Sequence, residues 1–210
     1  MTSMGRYRVF ALFAVLALGP ATVSAEDYPS LRQRVEGGDL GVDFRSLRFA
    51  FAQTPAYRPG AARGQAARRA VQQALEKESW ADAIAAARAW LADEYVNPFA
   101  HLGLARALEM TGETATARFH HRVAEALFDS ICRGGEGRSA DAPCPVISLD
   151  EEHFYLARHR FEVGGDYERT CARDRPCHVY EVHEPGTDML HDIHFDISVP
   201  LARMQQGASP

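Results

Sequence analysis

Apolar residues recur at helical spacing through the middle of the chain and give way to alternation near its C-terminal end. From Ala66 to Lys77 the pattern predicts one helix, with Ala70, Val71, Ala74 and Leu75 on its inner face. Trp80 to Tyr95 repeats the period through Ala83, Ile84, Ala87, Trp90 and Leu91, and Asn97-Pro98 stops it. Phe99 to Met110 follows, ended at Gly112. The last long helix runs from Thr114 to Ile131 with Ala117, Val123, Ala124, Leu127 and Phe128 inward. Ahead of these, Tyr28 to Val35 predicts a short helix ended by Gly37-Gly38. Asp43 caps another, in which Phe44, Leu47 and Phe51 share a face at i, i+3 and i+7. Trp80, Trp90, Phe99, Phe119 and Phe128 read as core rather than as an aromatic binding box.

Beyond Ile131 the pattern changes. Residues Cys132 to Cys144, CRGGEGRSADAPC, form a glycine-rich connection in which Gly134 or Gly135 would end the helix in a left-handed conformation. Ser148 and Glu151 have capping-box spacing, so a short helix follows. After Gly164-Gly165 the chain reads as strand: weakly at Tyr167 to Cys171, clearly at His178 to His183, and best at Met189 to Val199. Pro185-Gly186 marks a hairpin between the last two. In the last strand His191, Ile193, Phe195 and Ile197 share one face. Asp192, His194, Asp196 and Ser198 share the other. These elements predict an α+β fold, with a helical part over 26–132, a connection over 133–149, and a small C-terminal part with antiparallel strands over 150–210.

The helix spacing resembles tetratricopeptide repeats. Leu102-Gly103 lies in one helix, Gly112 in the turn, and Ala117 and Ala124 in the next. Ala83, Ala87, Trp90 and Pro98 look like the second helix of a preceding repeat. Gly103 and Gly112 stand about two residues farther apart than the repeat usually has. At most two repeats are present, fewer than the three or more an independent solenoid needs, so the helices must pack on something else. The chain also resembles the exported domains grouped as domain of unknown function 4919. Tyr28-Pro-Ser-Leu, Val42-Asp-Phe-Arg-Ser-Leu-Arg-Phe, Phe128-Asp-Ser-Ile, Gly134-Gly-Glu-Gly-Arg-Ser139, Val146-Ile-Ser, Asp150-Glu-Glu152 and Phe195-Asp-Ile-Ser carry the likeness. It implies a bacterial exported protein with a helical part and a terminal β part, and supplies no activity or catalytic residues. The four cysteines lie outside that pattern.

Arg6 and Arg8, the apolar run Val9 to Leu18, Gly19-Pro20 and Val23-Ser24-Ala25 have the layout of a secretory signal peptide over residues 1–25. The run is too short to span a bilayer. The chain carries 23 Lys and Arg against 28 Asp and Glu. Cleavage would remove two arginines and leave a net charge of −7. That charge, with no basic cluster, argues against nucleic acid and against anionic membrane surfaces. Four cysteines in an exported chain favour two disulfides, and sequence proximity points to Cys132–Cys144 and Cys171–Cys177 among three connectivities. A four-thiolate zinc site would want shorter spacers within each pair.

Several residues invite chemistry. The glycine-rich loop follows a helix instead of preceding one, so its N–H groups do not sit at a positive helix end, and a phosphate cradle is the wrong reading. Ser139 lacks a nucleophile-elbow context and reads as a turn serine. His120 and His121 diverge by about 100° on their helix, whereas His101 and His120 could meet across a helical pair. Asp192, His194 and Asp196, with Glu181 and His183 on the neighbouring strand, are candidate ligands for zinc or manganese. The competing reading is the ordinary polar face of an antiparallel sheet. Asp150, Glu151 and Glu152 are either an acid/base pair or first-turn acids favoured by the helix dipole. The expected function is a non-enzymatic binding or adaptor module, periplasmic or secreted and monomeric, offering a helical groove to a protein or peptide partner. The alternative is a metal-dependent or serine hydrolase working on the polar sheet face or near Ser139.

Overall fold

The computed structural model describes residues 26–60, 62–133, 136–187 and 189–207. The leader expected over 1–25 lies outside these described residues, as do Gly134 and Gly135. Helix α1 (Tyr28–Glu36) is capped by Asp27, which accepts from Ser30 N at 3.0 Å, and is closed by Gly37 and by Gly38 at φ +94°. Helix α2 (Phe44–Ala52) is capped by Asp43, as its sequence position predicts, and buries Phe44, Leu47 and Phe51 along one face.

Four helices follow: α3 (Ala62–Glu76), α4 (Trp80–Asp93), α5 (Pro98–Met110) and α6 (Thr114–Ile131), each packed on the next. Asn97 starts α5 by accepting from Phe99 N and Ala100 N, with Pro98 at the first helical position, where its missing N–H costs nothing. Helix α3 also lies against α5. A Cβ on Gly103 would fall 2.6 Å from Val71 Cγ1, so only glycine permits this approach. Val71, Ala87, Trp90, Leu91, Leu104 and Leu108 fill the space between the helices. Ala70, expected inside, is exposed, because the buried stripe of α3 runs through Val71 and Ala74.

The C-terminal part adds β1 (Cys144–Pro145), α7 (Leu149–His159), β2 (Glu162–Cys171), β3 (Arg175–His183), β4 (Leu190–Asp196) and α8 (Ser198–Gly207). The sheet order is β1-β4-β3-β2, with β1 parallel to β4 and the other pairs antiparallel. The α+β expectation holds: helices pack on a small sheet. Tyr180, Val182, Ile193 and Phe195 face Phe154 and Leu156 of α7 and Ile131 at the end of α6.

Four local expectations need correction. Gly164-Gly165 does not precede the first long strand but sits inside β2, where the pairing with β3 shifts register. Glycine tolerates such a bulge. The last strand stops at Asp196, well short of Val199, because Asp196 Oδ1 accepts from Ser198 N at 3.0 Å and turns the chain into α8. Helix α6 is ended by extended backbone at Cys132, ahead of the glycines. The predicted capping box is half formed: Ser148 Oγ accepts from Glu151 N at 3.3 Å, but Glu151 Oε2 accepts from Ile147 N at 2.8 Å, not from Ser148 N.

The cores do not respect the part boundaries. Ile147 and Val199 pack with Leu31, Phe44, Leu47, Phe51, Val123 and Leu127, so the C-terminal segments complete the hydrophobic core of the N-terminal helices. No helix among the described residues is long and apolar enough to cross a membrane.

Candidate functional site

Cys132 is bonded to Cys144 and Cys171 to Cys177, with Cα separations of 5.1 and 5.9 Å. Two disulfides fit an oxidising environment. The first holds the glycine-rich connection against the sheet. Gly137 O accepts from His194 N at 2.8 Å, and Ala140 packs on Cys171, Cys177 and Val179.

That covering segment changes the metal candidates. His194, expected on a solvent-facing row, is only 5 % exposed and packs beneath the connection, its Nδ1 without a hydrogen-bond partner. Asp192 accepts from the Tyr167 hydroxyl at 2.9 Å, while Asp196 is taken by Ser198 and by Arg175 at 3.4 Å. Glu181 pairs across from Asp192, and His183 stands opposite Leu190 at the strand end. No group of three or more His, Cys, Asp or Glu among the described residues is arranged to hold a metal ion. Ser139 is exposed, and its carbonyl accepts from Ala142 N as part of a turn.

Asp150, Glu151 and Glu152 meet three different environments. Arg48 of α2 is fully buried and grips Glu151 through Nε–Oε1 and Nη2–Oε2, both 2.5 Å. Its Nη1 also donates to Ser130 O at 2.7 Å, satisfying a terminal carbonyl of α6. Glu152, 2 % exposed, accepts from His178 Nδ1 at 2.7 Å and from the Tyr180 hydroxyl at 3.1 Å. The other ring nitrogen of His178 meets Asp166 at 3.0 Å. The hydrogen bond to Glu152, aided by Asp166, raises the His178 pKa to about 9. The ring is therefore imidazolium at neutral pH. His101 and His120 do meet, Nδ1 to Nδ1 at 2.9 Å, with His101 Nε2 against Tyr95 O at 2.8 Å. The carbonyl requires Nε2 to donate, so His101 Nδ1 accepts and His120 donates. Burial lowers both, to about 3 and about 4, and the pair is a neutral structural contact.

Asp150 alone of the three acids faces a cleft. About 450 Å³ opens where the α2–α3 connection, the end of α4 and the start of α7 converge. Tyr57, Pro59 and Leu149 supply apolar wall, and Trp90, Glu94 and Asp150 line its polar side. Glu94 Oε2 accepts from Trp90 Nε1 at 3.1 Å and from Asn97 Nδ2 at 3.3 Å. The same amide nitrogen donates to Asp150 Oδ2 at 3.2 Å. Arg68 reaches Asp150 Oδ1 at 3.0 Å while lying 4.1 Å over the Phe99 ring. Burial raises the Glu94 carboxyl to about 7, against the pull of the Trp90 hydrogen bond and reinforced by the Asp150 charge. Arg58, also at the cleft, is turned onto the carbonyls of Pro55 and Tyr57.

Sequence reasoning missed this site. Trp90 reads as a core residue, and it is buried, but its indole N–H is spent on the cleft carboxylate. Glu94 sits between a helix end and Asn97-Pro98, a position that signals only a turn. The one usable signal was Asp150, and its acid/base candidacy pointed to Glu151 and Glu152, not to Glu94. Compared with known proteins, the chain matches no family, no curated protein and no solved structure.

Proposed function

We propose that the chain is a non-enzymatic exported module, periplasmic or secreted, that binds a protein or peptide partner in the cleft bounded by Tyr57, Trp90 and Leu149. The observation that carries this reading is the cleft itself: its volume lies within the range of ligand sites, and three separate chain segments with mixed apolar and polar lining build it. Leu149, at the first position of α7, leaves half of its surface in solvent beside the cleft, where a partner would cover it. On this reading α3 to α6 are tetratricopeptide-like pairs that use the C-terminal part as the support a short repeat array lacks. The likeness to domain of unknown function 4919 and the two disulfides support the exported setting.

A photocrosslinking residue placed at Leu149 tests the reading in the native host envelope, with Met110 on α5 as an exposed control outside the cleft lining. A discrete adduct from position 149 and none from position 110 is expected. Equal labelling at both positions, or none at 149, contradicts it.

A further inference from the structure

Glu94, half-buried at the cleft, differs from the buried acids Glu151 and Glu152 in what surrounds it. Glu151 is neutralised by Arg48 and Glu152 by His178, each through a direct contact. The donors that reach Glu94 among the described residues, Trp90 and Asn97, are neutral, and its nearest charged neighbours in the cleft include the carboxylate of Asp150. Arg68 lies on the Asp150 side and pairs with it, and Arg58 at the cleft rim turns its Nη1 onto the Pro55 and Tyr57 carbonyls, with no bond to Glu94. A carboxylate removed from water without a cation is costly to keep, and a ligand supplying the missing cation would recover that cost. The walls around it are apolar and aromatic: Tyr57, Pro59, Leu149 and the Trp90 ring.

We propose that the cleft takes a guanidinium or ammonium group carried on an apolar body, seated against Glu94 with the apolar part between Tyr57, Pro59 and Leu149. This rests on the reading of the cleft as the binding site and names what it binds. The cation satisfies Glu94 from the open side of the cleft, while Asn97 keeps the two acids apart and oriented. An arginine or lysine side chain of a peptide partner presents this chemistry, and so does a free aliphatic amine.

Isothermal titration calorimetry on the disulfide-intact protein separates the cases. The probes are acetyl-Leu-Arg-amide, its neutral isostere acetyl-Leu-citrulline-amide, and agmatine. The arginyl peptide should bind about tenfold more tightly than the citrulline peptide at pH 8. That preference should shrink towards unity at pH 5.5, where Glu94, titrating at about 7, is protonated. Glu94→Gln should erase the preference, and the pH series on the unaltered protein carries the test should that variant misfold. Agmatine binding as tightly as the peptide identifies a free amine as the ligand, and peptide binding alone identifies a peptide side chain. Equal affinity for the arginyl and citrulline peptides overturns the cation and leaves the binding cleft standing. If no probe binds, the cation is overturned, and a missing adduct at position 149 overturns the cleft with it.

Discussion

Two groups of acids lie within one short stretch of this fold and have opposite fates. Glu151 and Glu152 project from the first turn of α7 into the interface, where the buried Arg48 and the half-buried His178 match them, with further hydrogen bonds. Glu94 and Asp150 line the neighbouring cleft, where Arg68 pairs with Asp150 but only neutral donors hold Glu94, whose carboxyl is raised to about 7 by burial. The first arrangement ties α2, α6, α7 and β3 into one body. The second keeps a charge poorly solvated at a place a ligand can reach. Matched buried charge reads as architecture, and unmatched buried charge beside a cavity reads as a site.

The contrast can be broken most severely at Arg48. Arg48→Met leaves Glu151 buried without its cation and should cost roughly 3–5 kcal/mol in urea denaturation. Arg48→Met combined with Glu151→Leu should recover most of that loss. A mild effect of the single change would show that the pair is not the tie described. Next in size is the staple of the connection. Cys132→Ser with Cys144→Ser opens a loop of sequence separation 12 and should cost roughly 3 kcal/mol, read as a drop in the urea midpoint without reductant.

The matched side also has a pH signature. His178 is protonated in the fold up to about 9, above its ordinary 6.5. Its contribution is therefore complete below pH 6.5 and is lost as pH rises through 9. Denaturation midpoints of the wild type should fall over that window, and His178→Gln should flatten the fall. A midpoint that rises between pH 7 and 9 would remove His178 from the matched group.

The helical half was largely legible because its signals are local. Asp43 caps α2, Gly112 at φ +86° ends α5, and the bounds of α6 follow its apolar stripe. The disulfide pairs followed from proximity alone. What sequence could not reveal depends on residues far apart in the chain. No local pattern gives Arg48 a partner; α7, a hundred positions later, brings Glu151 against it. His194 fits a polar strand row until the stapled connection covers it. Glu94 and Asp150 share an amide only because α5 starts where α7 starts, and no local pattern encodes that meeting.

The smallest expected effect bears most directly on the central claim. If Glu94 is an unmatched charge kept for a ligand, its raised carboxyl weakens the fold as pH rises from 4.5 to above 7, and that weakening is full at pH 8. Thermal denaturation of Glu94→Gln without ligand should then show the variant more stable than wild type at pH 8, by roughly 0.5–2 kcal/mol, with the gap closing towards pH 5. A variant less stable than wild type at pH 8, as Arg48→Met should be, would place Glu94 among the structural acids and contradict the account.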